Sequence, residues 1–78
     1  MINATQIRAA RAILRLSQQE LADRTDLSRE AIKSAEKDDA RSFASSLAAI
    51  EAYFLKEGLS FSHGAEGVVI RYDYKTNS

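Results

Sequence analysis

The chain has 78 residues, a length that suits one small domain, because a single hydrophobic core becomes marginal below about 70–80 residues. A two-domain enzyme with a substrate pocket between its domains does not fit that length. Its 45% hydrophobic and 28% charged residues exclude a wholly disordered protein, and its eleven Lys/Arg against eleven Asp/Glu exclude a strongly basic nucleic-acid coat.

The first 57 residues hold neither proline nor glycine and read as helices joined by short turns. Asn3-Ala4-Thr5-Gln6 fits an N-cap with Gln three residues on, and Ile7, Ala10 and Leu14 then recur on one helical face. Ser17-Gln18-Gln19-Glu20 is a second capping box and opens a short helix that buries Leu21 and Ala22. Asp26-Leu27-Ser28 breaks it. Ser28 caps a third helix with Ile32 and Ala35 facing inward. Asp38–Ser42 is polar and reads as a loop. Ser42 is expected to cap a fourth helix with Phe43, Leu47, Ile50 and Phe54 on its buried face, ending at Gly58.

Beyond Gly58 the period switches to two. Leu59 and Phe61 alternate with serines, and Val68, Ile70, Tyr72 and Tyr74 alternate with Val69, Arg71, Asp73 and Lys75. His63-Gly64-Ala65-Glu66-Gly67 lies between and reads as the loop of a β hairpin. The expected organisation is a helical domain over 1–57, a hairpin over 58–75 and a tail over 76–78.

The segment from Gln18 to Lys37 carries the functional signal. Two short helices separated by a tight turn can cross closely only over a small residue, which Ala22 supplies. Leu27 and Ile32 then lock the second helix against the first. The opposite face, with Arg29, Glu30, Lys33 and Ser34, is left polar and exposed, and a rigid helix of this size fits a DNA major groove. Residues 1–37 hold seven Lys/Arg and five Asp/Glu, which permits a mildly basic face in this half.

The run LSQQELADRTDLSREAIKSAE, Leu16 to Glu36, resembles the lambda-repressor/Cro-like (XRE-type) helix-turn-helix family. Ser17, Gln18, Leu21, Ala22, Leu27, Ser28, Ile32 and Glu36 match its pattern, and a looser likeness runs from about Ile7 to Phe54. The resemblance implies a mainly α, four-helix DNA-binding domain with its motif over 18–37. It also implies a function in transcription regulation, through sequence-specific binding of double-stranded DNA by a cytoplasmic protein of bacterial or phage origin, without a cofactor. It assigns Arg29 and Glu30 to base reading, with Lys33 and Ser34 one turn on. Gln18 is assigned to phosphate contact or to bracing the reading residue, as are Gln19 and Ser28. Arg8, Lys37 and Arg41 are phosphate candidates, joined by the backbone N–H groups around Ser42. Arg11 and Glu36 match a structural salt bridge of the family. The chain departs from the family in three places. Asp26 stands where glycine is usual in the turn, Ala35 is smaller than usual, and a hairpin replaces the fifth helix.

An isolated two-stranded hairpin is marginal in water and its edges invite pairing, so a homodimer is expected. Phe61, Val68, Ile70, Tyr72 and Tyr74 are its candidate contacts, and the DNA site would be an inverted repeat bound by a repressor. An antitoxin-like protein whose hairpin also masks a toxin, or a pure interaction module without DNA binding, is the alternative. Catalysis is not expected. Ser62, His63 and Asp73 have neither the spacing nor the elbow of a nucleophile triad. The chain has no cysteine and one histidine, so a thiolate or histidine-rich metal site is not expected either. Met1–Gln6 has neither a basic nor an apolar signal region, and no apolar run approaches the roughly 18–20 residues of a membrane span.

Overall fold

A computed structural model describes residues 2–37, 43–64 and 67–73. Residues 1, 38–42 with Arg41 and Ser42, 65–66, and 74–78 with Tyr74 lie outside the described residues, as does the side chain of Val68. In chain order the elements are α1 (Ala4–Leu14), α2 (Gln18–Thr25), α3 (Arg29–Ala35), α4 (Ala44–Lys56), β1 (Leu59–Gly64) and β2 (Gly67–Tyr72). The described residues are therefore mainly helical, with one small antiparallel two-stranded sheet. Among them no helix is long and apolar enough to cross a membrane.

Short-range chemistry starts and stops the first three helices. Asn3 Oδ1 accepts from the Gln6 N–H at 2.8 Å, and Gln6 Oε1 accepts from the Asn3 N–H at 2.9 Å. Ser17 Oγ and Glu20 Oε1 make the same reciprocal pair, at 3.0 and 2.9 Å. Ser28 Oγ accepts from the Ala31 N–H at 3.1 Å. Each pair satisfies helix-start N–H groups that have no carbonyl partner. Helix α1 ends where Arg15 turns left-handed (φ 57°), with the Leu16 N–H reaching Arg11 O at 2.9 Å and the Arg15 N–H reaching Ala12 O at 3.1 Å. Helix α2 ends at Asp26 (φ 59°), the residue the turn was expected to hold left-handed in place of glycine. Leu27 N–H then donates to Ala22 O at 3.0 Å.

Two expectations need correction. Phe43 is not on the buried face of α4; it is the N-cap, extended at ψ 139° and 76% exposed. Its position before the first helical residue turns it away from the stripe of Leu47, Ile50 and Phe54. It also takes the cap position expected of Ser42, and α4 has no side-chain cap. The strands are longer than the glycines suggested. The ladder runs on through His63↔Val68 to Gly64↔Gly67, so His63 belongs to β1 and not to a turn.

One core joins every element. Ile7 and Ala10 of α1, Leu21 and Ala22 of α2, Ile32 and Ala35 of α3, Ile50 and Phe54 of α4, and Leu59 of β1 form a single cluster with Ile2. The register sets Leu59 opposite Tyr72 and Phe61 opposite Ile70. Phe61 and Ile70 pack on this cluster, and the Phe54 and Phe61 rings meet edge to face with centroids 6.0 Å apart. The apolar hairpin face thus finds cover within the chain, while Tyr72 stays 38% exposed.

Candidate functional site

Helix α3 divides into two faces. Ile32 and Ala35 are buried, which fixes the helix against the core. Arg29, Glu30 and Lys33 are exposed, and none of their side chains bonds to another described residue. Ser34 is half-buried and already partnered. Ser28 is occupied in capping the helix. Lys37 is exposed just beyond the helix end.

The end of α3 is held by a hub at Glu36, whose side chain is 5% exposed. Its carboxylate accepts from Arg11 Nε at 2.7 Å and from Arg11 Nη2 at 3.1 Å, a two-pronged ion pair between α1 and α3. Gln18 Nε2 donates to the same carboxylate at 3.1 Å, which ties in the start of α2. Arg11 Nη1 also donates to Leu16 O at 3.0 Å. The Glu36 main-chain carbonyl accepts from Arg8 Nη1, and Arg8 Nη2 reaches Thr5 Oγ1 at 3.3 Å. Gln19 is exposed and donates to Asp23 Oδ1 at 3.0 Å.

Arg11, Ser17, Gln18, Gln19 and Arg29 line an open cleft of about 440 Å³ between the start of α2 and the start of α3. The structure therefore brings together Gln18, Gln19 and Arg29 among the expected contacts, with Arg11 at the base. Glu20, in the first turn of α2, has its carboxyl held below the ordinary 4.5 by the Ser17 N–H, then by the Ser17 hydroxyl, with Arg24 adding a smaller pull. Across α2, Arg24 Nη1 donates to the Tyr53 hydroxyl at 3.2 Å, and that hydroxyl donates to Glu57 Oε1 at 3.5 Å. Burial first, and then the Glu57 charge, push the Tyr53 hydroxyl above its ordinary 10.0.

Sequence reasoning missed the Gln18–Glu36 bond, the Arg8 contact and the Arg24–Tyr53–Glu57 chain. All three join residues 18 or more apart, or depend on such a contact, and no local spacing signals them. No group of three or more His, Cys, Asp or Glu that could hold a metal occurs among the described residues. No family model matches the chain, and no curated protein matches it. The candidate surface offers two cations and one carboxylate on a short helix whose inner face and far end are both fixed.

Proposed function

We propose that this chain is a sequence-specific DNA-binding transcriptional regulator of the lambda-repressor/Cro-like, XRE helix-turn-helix type, acting as a homodimeric repressor on an inverted-repeat operator. In this reading α2, the Asp26–Ser28 turn and α3 are the motif, and α3 enters the major groove. The observation that carries it is the contrast between the two sides of α3: an anchored inner face and Glu36 end, and an outer face where Arg29, Glu30 and Lys33 have no partner among the described residues. Arg29 can pair bidentately with the O6 and N7 of guanine, and Glu30 can accept from a cytosine amino group. The zero net charge makes specific contacts matter more than bulk attraction, so non-specific binding would be weak and its salt dependence modest.

The dimer is supported by the sheet. Each strand of the β1–β2 pair has one edge without a strand neighbour among the described residues. Because Phe61 and Ile70 pack on the chain's own core, edge pairing around exposed Tyr72 is the route to a second copy. A two-fold pairing would set two α3 helices toward successive major grooves about 34 Å apart.

The test is a fluorescence-anisotropy titration into the DNA upstream of the chain's own reading frame, beside a scrambled duplex, at several salt concentrations. Tight binding to the native fragment alone, with two chains per site, is expected. Equal and steeply salt-dependent binding to both duplexes, repeated with duplexes drawn from a random pool, would remove the reading.

A further inference from the structure

We infer that Arg8 is a positioning residue that clamps the C-terminal end of α3 onto α1, and not a phosphate contact; its consequence for DNA rests on the function proposed above. The last carbonyls of any helix lack intrahelical partners, and α3 is only seven residues long, too short to be stable by itself. The Glu36 carbonyl belongs to this end, and Arg8 Nη1 donates to it. Arg8 Nη2 bonds Thr5 Oγ1 at 3.3 Å, which braces the guanidinium along α1. Three residues on, and so on the same side of α1, Arg11 holds the Glu36 carboxylate at 2.7 and 3.1 Å. One residue at the end of α3 is thus gripped through both its main chain and its side chain by two arginines of α1. Gln18 of α2 completes the grip at 3.1 Å.

Base reading by a bidentate side chain depends on where its helix sits, whereas a phosphate contact depends on charge. The Glu36 carbonyl and the Thr5 hydroxyl already take two of the five N–H groups of the Arg8 guanidinium and fix its place along α1, so any phosphate contact would fall to the remaining N–H groups and would leave the clamp intact. The clamp therefore serves specificity. Losing it lets the outer face of α3 shift, which weakens pairing with the right sequence and leaves the count of neutralised phosphates unchanged.

The experiment compares the full chain with Arg8→Ala. Amide hydrogen exchange, corrected for any change in global stability, is followed at Ala35 and Glu36. Affinity is followed on a duplex that the unaltered protein selects from a random-sequence pool, and on a scrambled duplex, across a salt series. Exchange at the α3 end is expected to quicken about tenfold, the equivalent of one lost charge-assisted hydrogen bond. Affinity for the selected duplex is expected to fall about tenfold, with the scrambled duplex and the slope of log K on log salt unchanged. Unchanged exchange at Ala35 and Glu36 would overturn the clamp. A slope reduced by about 0.9, as for one lost phosphate contact, would overturn the positioning role. If the unaltered protein selects no duplex, the DNA reading fails, and the exchange result still decides the clamp.

Discussion

Arg29 is the first residue of α3, where the partial positive charge of the helix start disfavours a cation. Ser28 and Glu30 beside it suit that position, by capping and by charge, so the arginine is the residue out of keeping with local stability. Its side chain has no partner among the described residues, which suits the base-reading role proposed above. Arg29→Ala is expected to lose about 1–3 kcal/mol of binding to the preferred duplex, the range for one good base contact. Folding stability in urea is expected to hold or to rise by about 0.3–1 kcal/mol as the charge clash with the helix dipole goes. Unchanged binding with a clear loss of stability would mean that Arg29 is a structural residue. Arg15 makes a second residue-scale case. It sits left-handed at φ 57° with a full side chain, whereas Asp26 at φ 59° is of a type that tolerates this region. Arg15→Gly is expected to stabilise the fold by about 0.5–1 kcal/mol, read as a higher urea midpoint with an unchanged m-value.

At the scale of elements, the Ser17–Glu20 box makes stability depend on pH. The Glu20 carboxyl is lowered from 4.5 in the fold, so the folded chain holds its proton less readily than the unfolded chain. Its contribution is complete above the unfolded value and is lost as pH falls through the folded one. A urea-stability series from about pH 6 to about pH 3 should therefore fall less steeply for Glu20→Gln than for the parent chain. Identical slopes would show that the box carries no such charge preference. That box was legible in the sequence, as were the Asn3–Gln6 box, the Ser28 cap and the Asp26 turn, because each is decided by residues one to four positions apart. Phe43 was not. Its spacing to Leu47 satisfies a helical stripe, yet the stripe exists only if the helix has already begun, and α4 begins one residue later. His63 was misread for a related reason. Glycines at 64 and 67 suit a loop and also suit the closing pair of a tight ladder, and strand pairing decides between them.

At the scale of the whole molecule, the residues least legible in the sequence are those that hold the candidate surface in place. The family resemblance suggested an Arg11–Glu36 pair, but nothing local showed that Gln18 and Arg8 converge on the same residue from two other places in the chain. Such convergence arises only when α1, α2 and α3 are packed, so it is a property of the tertiary structure. It has an energetic consequence that can be measured. The Glu36 side chain is 5% exposed and Arg11 26% exposed, so the pair is largely shielded from water on the acidic side. An exposed pair of this kind contributes about 0–1 kcal/mol, whereas removing one partner of a buried pair costs about 3–5 kcal/mol because the other charge is left stranded. Arg11→Met strands the Glu36 carboxylate with Gln18 as its remaining side-chain donor, and a loss of about 3 kcal/mol is expected, the lower end because Arg11 keeps some water. Glu36→Leu removes the buried acid instead and frees an arginine that can turn to solvent, so it should cost less. The double variant should recover much of the Arg11→Met loss, giving a coupling of about 1–3 kcal/mol in a double-mutant cycle read from urea midpoints. Additive losses would leave the anchoring of α3 to the buried contacts of Ile32 and Ala35 and to the Arg8 bond with the Glu36 main chain. A coupling of that size would instead show that the Glu36 hub itself holds the helix that presents Arg29.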